Sequence, residues 1–422
     1  MRGASAGPAQ EYLPRVVDEQ LARLVASLPA VAVEGPKAVG KTETARRVAA
    51  GEVLLDRPAA RALAEADPDQ ALSGPAPLLL DEWQLVPPVW DAVRRAVDVD
   101  PSPGRFVLTG SARPQHVTAH TGAGRVVSLR MRPMTLPERR QSPTTVSLAA
   151  LLSGARGAVT GEATMDLAGY ASEIVASGFP GLRALGEGAR TVALDGYVDQ
   201  IIQRDVPESG YRLRRPETLR RWLRAFAAAT GTTASLEAIR DAATAGDGST
   251  PAKVTVLAYH GALERLWVVD DLPGWAPSLR QLTKVGQAPA RHLADPALAA
   301  ALLGVDTAAL LSDGVLLGRM FESLAALSVR VFAQAAGARV WHLRTHGGGH
   351  EIDLIVERRD GAVVAIEVKL GSAVDDRDVA HLRWLASRIG ERLVDIAVVH
   401  SGPHAYRRRD GVAVIPLELL GP

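Results

Sequence analysis

The stretch Val31-Ala32-Val33-Glu34-Gly35-Pro36-Lys37-Ala38-Val39-Gly40-Lys41-Thr42 decides the reading of this chain. A short apolar run gives way to the pattern G-x-x-x-x-G-K-T, and a helical pattern follows Lys41. Strand, glycine loop and helix, in that order, let backbone N–H groups close around phosphate oxygens, with the positive end of a helix behind them. Gly35, Pro36, Lys37, Ala38, Val39, Gly40, Lys41 and Thr42 are therefore the candidate nucleotide-binding residues. Lys41 is placed to reach the β- and γ-phosphates, and the Thr42 hydroxyl to ligate Mg²⁺. ATP and Mg²⁺ are the expected cofactors.

Working outward, a second apolar run, Leu78-Leu79-Leu80, ends in Asp81-Glu82. Asp81 is the expected Mg²⁺ partner, through its water shell, and Glu82 the expected catalytic base that polarises water. A third run, Phe106-Val107-Leu108-Thr109-Gly110-Ser111, ends in a polar residue, and Ser111 is the candidate sensor of the γ-phosphate. The alternative for Ser111 is a plain strand exit. Charge on a transferring phosphoryl group also calls for an arginine. Arg113, Arg125, Arg130 and Arg132 lie just beyond, and Arg125, after Gly122-Ala123-Gly124, is the candidate finger, acting on a neighbouring chain.

The rest of the composition sets bounds. The chain has 422 residues, 47% hydrophobic and 23% charged, with a net charge of +1. That is enough for two to four domains (about 100–200 residues each) and excludes a polycation, so any nucleic-acid footprint is a local patch. No cysteine occurs, which removes disulfides, thiolate metal ligands and thiol catalysis. Residues 1–10 show no apolar leader, and no apolar run reaches the roughly 18 residues of a spanning helix. A cytoplasmic protein without membrane contact is the expectation. Only five lysines occur, and Lys41 and Lys369 fall in the two best motifs.

Along the chain, residues 13–136 alternate strand-like and helical runs, which predicts an α/β unit with a parallel sheet. Residues 141–161 are rich in Ser, Thr, Gly and Ala and read as a boundary. Residues 165–305 read as mostly helical, with amphipathic candidates at 194–204 and 216–230. Helices at 235–243 and 251–266, across a Gly/Ser turn at 246–250, resemble a helix-turn-helix, with 267–272 as the first strand of a wing. Residues 314–422 read as a long helix, three strands, a helix and a strand. The expected domains are thus 1–140, 165–305 and 314–422.

Several marks together resemble a bacterial AAA-superfamily P-loop ATPase fused to a DUF4143 region. They are Tyr12-Leu13-Pro14-Arg15, Asp81-Glu82-Trp83-Gln84, Leu108-Thr109-Gly110-Ser111 and Leu129-Arg130-Met131-Arg132-Pro133-Met134-Thr135. In the second half they are Gly178-Phe179-Pro180, Gln203-Arg204-Asp205-Val206, Glu351-Ile352-Asp353-Leu354 and Glu367-Val368-Lys369. Trp83 departs from the aliphatic residue expected there. The resemblance implies ATP binding, a helical lid, a winged-helix-like module and a carboxy-terminal nuclease-like fold.

Residues 314–422 resemble the PD-(D/E)xK restriction-endonuclease-like superfamily. Glu367 and Lys369, two apart on a strand, share one face. Asp353 comes beside them if its strand pairs back across the turn at Asp360-Gly361. Asp353 and Glu367, with Glu322 as a further ligand, are candidate metal-binding acids, and Lys369 the candidate that activates water. An ion pair in an inert relic is the alternative. His346 and His350 read as exposed loop residues. In the middle module Lys253, His260 and Arg265 make a thin basic face, and Arg212, Arg214, Arg215, Arg220, Arg221 and Arg224 a denser one. Two functions stay open: an ATPase acting on DNA or RNA through a nuclease-like domain, and an ATP-controlled switch binding DNA or a protein. A homo-oligomer is compatible with both.

Overall fold

The computed structural model describes residues 12–112, 123–140, 142–244, 250–276, 288–345 and 347–422. Arg113, Gly122 and His346, together with most of the Gly/Ser turn, lie outside them.

The first sheet has five strands: β1 Ala30–Glu34, β2 Gly51–Leu54, β3 Leu78–Asp81, β4 Phe106–Gly110 and β5 Val126–Arg130. Their order is β2-β3-β4-β1-β5, and every pair is parallel. A parallel sheet covered on both faces takes continuous apolar strands. β1, β3 and β4 are accordingly buried at every residue. The helix Pro88–Val99 shows the complementary pattern. Val89, Val93 and Val97 recur every fourth residue on its buried face, and Trp90 meets Trp83 with ring centroids 4.6 Å apart. Trp83 therefore belongs to the packing of this layer.

The sheet topology puts β4 between the loop-bearing β1 and the acid-bearing β3. All three point their carboxyl ends the same way, so the loop after β1, the acids after β3 and the polar end of β4 meet at one edge.

The middle of the chain is helical, with main elements Leu167–Ala176, Glu187–Gln200, Pro216–Ala228, Leu236–Ala243, Lys253–Arg265 and Pro296–Leu303. The helix expected at 194–204 starts earlier and ends in a single π-helical turn, Ile201–Asp205. Leu219, Trp222, Leu223 and Phe226, at helical spacing, are fully buried. The expected wing strand at 267–272 is reduced to single bridges, Val269 to Leu293 and Leu272 to Ala290. Asp270 is drawn instead into an arginine cluster.

The carboxy-terminal part begins with the helix Gly314–Ala335, whose N-cap Asp313 accepts from Val315 N and Leu316 N at 3.1 and 3.0 Å. Residues 142–165 join this part. They contribute β6 Val146–Ser147, the helix Leu148–Leu152 and β7 Gly161–Glu162. The remaining strands are β8 Arg339–Arg344, β9 Glu351–Glu357, β10 Val363–Lys369, β11 Leu393–His400, β12 His404–Arg407, β13 Ala413–Pro416 and β14 Leu420–Gly421. The large sheet runs β7-β12-β13-β11-β10-β9-β8, and β14 pairs with β6. Residues 141–161, expected as a boundary, are thus in part structural members of the carboxy-terminal sheet.

The three parts interlock at Asp270. Its carboxylate takes Arg132 Nε at 2.9 Å, Arg330 Nη2 at 2.7 Å and Arg130 Nη2 at 3.3 Å. Burial opposes the charge of Asp270, but the three guanidinium groups outweigh it and hold the carboxyl well below the usual range. No helix among the described residues is long and apolar enough to cross a membrane.

Candidate nucleotide site

The loop after β1 needs its glycines. A Cβ at Gly35 would stand 2.1 Å from the Met131 carbonyl oxygen. Gly40 has φ 103° and ends the loop as the N-cap of the helix Lys41–Arg46, with no side chain capping the first turn. Such a loop presents N–H donors that its own chain leaves unused. Lys41 is 4% exposed, and its ammonium donates to the carbonyl oxygens of Gly35 and Pro36 at 3.0 and 2.9 Å. Burial pulls its pKa down to about 8, against the opposing attraction of Glu82 and Asp81. A buried cation resting on two weak acceptors is poised for an anion.

The segment before β1 braces this loop from behind. The Arg15 guanidinium donates to Val39 O at 3.0 Å and Arg132 O at 2.7 Å, and pairs with Glu138 at 3.1 Å. The Tyr12 hydroxyl donates to Asp18 at 2.6 Å and shares a 2.8 Å hydrogen bond with Thr44. Tyr12 and Arg15 entered the sequence reading only as marks of resemblance. Their partners identify the reason they sit there.

Thr42 and Asp81 are brought together: the Thr42 hydroxyl donates to Asp81 Oδ1 at 2.8 Å. The Thr109 hydroxyl donates to the same oxygen and accepts from Glu82 N at 3.2 Å. Burial raises the Asp81 pKa, and these two hydroxyls act against the rise. A hydroxyl beside a carboxylate is an oxygen set that suits Mg²⁺. Glu82 has left-handed backbone, φ 55°. Its Oε2 accepts from Ser111 Oγ at 2.7 Å and from Gln84 Nε2, which also donates to Ser111 Oγ at 3.0 Å. Ser111 thus holds the candidate base. Thr109 and Gln84 were missed as site residues, although both stand inside quoted motifs. Thr109 is two residues from Ser111 near the same strand end, but its contact with Asp81 depends on β4 lying beside β3.

A contact far from the loop in sequence closes the site. Lys37 Nζ pairs with Asp205 Oδ1 at 2.5 Å, and the Tyr197 hydroxyl donates to Lys37 O at 3.1 Å. The π-helical turn places Asp205 there; such widened turns recur at functional positions. Beside this pair opens a cavity of about 590 Å³, lined among others by Lys37, Asp56, Glu82, Ser111, Arg204 and Asp205.

Arg125 lies apart. It precedes β5, whose register sets Val126 beside Ala30. Roughly 20 Å of strand separates it from Gly35, and it pairs with Asp98 at 2.8 Å. At that distance it does not reach the phosphate loop of its own chain. Arg130 and Arg132 are engaged with Asp270.

In the carboxy-terminal sheet β9 and β10 are antiparallel, with Ile366 beside Leu354, so Asp353 and Glu367 stand opposite each other. Asp353 Oδ2 accepts from Val368 N at 2.7 Å, and Lys369 Nζ pairs with Glu367 Oε1 at 3.2 Å. Glu367 Oε2 is buried with no hydrogen-bond partner. Burial raises Asp353 to about 6. Burial, and then the Asp353 charge, raise both Glu322 and Glu367. Like charges therefore gather here around one lysine. Among the described residues, no three His, Asp or Glu side chains form a ready metal-ligand group. His350, expected in an exposed loop, stacks on Trp384 at 4.0 Å.

In the middle module Lys253 pairs with Glu237, His260 bonds to Asp271 at 2.9 Å, and Arg220 pairs with Asp199. The helix Lys253–Arg265 exposes Val254 and Leu257 rather than a basic stripe.

Residues 27–139 match the AAA domain family, residues 168–309 a domain of unknown function, DUF8612, and residues 317–420 another, DUF4143. An uncharacterized protein of Mycobacterium bovis and one of Mycobacterium tuberculosis are each 26% identical to the chain over 409 residues, covering 95% of it and 83% of their own length. Among solved structures, the Walker-type ATPase of Pyrococcus abyssi matches with TM-score 0.42 and 16% identity, over 68% of this chain and 94% of that one. The ORC2 protein of Aeropyrum pernix matches with TM-score 0.30 and 16% identity, over 74% and 97%. With the loop, the acid pair and the family match in agreement, the chain carries an AAA-type ATPase domain at 27–139 and a DUF4143 region at 317–420.

Proposed function

We propose that the chain hydrolyses ATP with Mg²⁺ at the edge formed by β1, β3 and β4, and that this cycle governs action on nucleic acid by its carboxy-terminal sheet. One observation carries the first part: Lys41, the Thr42–Asp81 pair and the Ser111–Glu82 pair converge there from three strands. Bound Mg·ATP supplies a phosphoanhydride and a divalent charge. Lys41 offsets phosphate charge in a buried setting, where the interaction is strong. Thr42 and Asp81 hold the metal, and Glu82 accepts a proton from water while Ser111 and Gln84 fix its carboxylate. Arg125 would complete a neighbouring chain's site in a homo-oligomer.

The nuclease reading is supported by Asp353 facing Glu367, with Lys369 beside them and an orphaned acid oxygen. Divalent metal would be held by the facing Asp353 and Glu367, with Lys369 orienting water. The Lys369–Glu367 pair also favours a second reading, an inert domain under an ATP-driven switch, with the Lys37–Asp205 pair as the link to the module. The test measures ATP turnover and nucleic-acid integrity together. Glu82→Gln is expected to keep ATP binding and lose kcat by about 100-fold or more, while Lys41→Ala loses binding. Wild-type turnover in Glu82→Gln would remove the base assignment. Cleavage that persists in Lys369→Ala would remove the carboxy-terminal one.

A further inference from the structure

The segment Tyr211-Arg212-Leu213-Arg214-Arg215 leaves the nucleotide cavity, which ends at Ser209 and Gly210, and enters a second one. That cavity is about 460 Å³ and is lined among others by Tyr211, Arg212, Arg214, Arg215, Thr255 and Tyr259. No carboxylate lines it. Arg204, Arg240 and Arg291 of the same module do have acidic partners, Glu208, Asp241 and Asp271. Among the described residues no ion pair engages Arg212, Arg214 or Arg215. The three guanidinium groups are exposed, so this cavity presents a positive field that an incoming anion can reach.

The surroundings add donors. The helices Pro216–Ala228 and Lys253–Arg265 both begin at the cavity, and their N-caps Arg215 and Ala252 supply no side-chain cap. Thr218, Thr250 and Thr255 bring hydroxyls, and Tyr211 packs edge-on against the buried Tyr259 with centroids 5.8 Å apart. Guanidinium groups, hydroxyls and free helix N–H groups are the set that contacts phosphodiesters without reading bases.

We propose that this pocket binds the phosphate backbone of a nucleic-acid strand. Three separate cations along an extended segment exceed what one phosphate needs, which favours a polymer over a free phosphate. The proposal rests on the reading that the chain works on nucleic acid, and it places the holding site on the middle module, away from Asp353, Glu367 and Lys369. The segment 201–215 also touches both cavities, so the strand-holding residues lie directly along the chain from Asp205 and its Lys37 partner.

The test uses the full chain without ATP or metal, and also with Lys41→Ala, so failure of the ATPase or the nuclease reading does not affect it. Binding of labelled DNA and RNA oligonucleotides of about 20 nucleotides, longer than the roughly 4–16 that one module covers, is followed by anisotropy at several salt concentrations. Replacing Arg212, Arg214 and Arg215 together by Ala should weaken binding on the order of tenfold or more, and should flatten the salt slope by about 2 for single strands. Replacing all three by Lys should retain most of the affinity, and ATP turnover of both variants should stay at the wild-type level. An unchanged affinity and slope in the Ala variant would overturn the proposal. So would a wild-type chain that binds inorganic triphosphate at this pocket but no oligonucleotide.

Discussion

The buried state of Lys41 makes nucleotide affinity depend on pH in a direction that can be worked out. Its ammonium is 4% exposed and is held by only two loop carbonyls. Burial lowers its pKa from 10.5 to about 8. The folded value lies below the unfolded one, so the free protein gains stability as pH rises from about 8 towards about 10.5, where the cation is lost more readily folded than unfolded. Nucleotide binding needs the cation and must move the other way. If only the charged form binds, about nine-tenths of the chains are competent near pH 7 and about one-tenth near pH 9, a tenfold loss or about 1.4 kcal/mol. Titration of a fluorescent ATP analogue with Mg²⁺ at fixed ionic strength, from about pH 6.5 to about pH 9.5, reads this directly, and calorimetry in two buffers should show proton uptake approaching one above pH 8. Lys41→Arg, charged throughout the range, should bind weakly with a flat profile. A wild-type Kd that stays constant to about pH 9.5 would refute the assignment of Lys41 as a buried, phosphate-seeking cation.

Two further outcomes follow from other buried charges. Burial raises Asp353 to about 6, above its ordinary 3.8, so the folded state holds that proton more tightly, and stability declines as pH rises from about 4 through about 6. Asp353→Asn, which can still accept from Val368 N, should raise Tm by roughly 2–4 °C at neutral pH, with the gain vanishing near pH 4; a gain at both pH values would separate it from ionisation. Asp270→Ala should destabilise the chain by about 3–5 kcal/mol in urea unfolding, because Arg130, Arg132 and Arg330 lose their shared carboxylate; a change under about 1 kcal/mol would show that the three find other partners.

The parts of this protein that were legible in its sequence are those whose physics is local. A glycine loop between a strand and a helix needs only its own eight residues to be recognised. Continuous apolar runs at β1, β3 and β4 announce strands buried on both faces, and the spacing of Leu219, Trp222, Leu223 and Phe226 announces one face of a helix. The α/β character of 30–130 and the element order from 314 to 400 were readable for that reason, whereas the short strands β12, β13 and β14 that follow were not. Thr109 was not, because its role depends on β4 lying between β1 and β3, and strand order leaves no mark in a run of apolar residues.

Long-range partnership was the other blind spot. Residues 141–161 read as a boundary because two-residue strands carry no periodicity, yet β6 and β7, at Val146–Ser147 and Gly161–Glu162, pair with β14 and β12 more than 240 positions away. Lys37 meets Asp205, and Asp270 collects arginines from both sides of the sequence, through charges that read as solvated until the chain packs. The sequence by itself determined the chemistry on offer: a phosphate loop, its acids, and an acid and lysine sharing a strand face. Only the tertiary structure decided which charges are neutralised and which are left over. Pairing energy depends on distance and burial, and neither exists until the backbone has brought remote residues together.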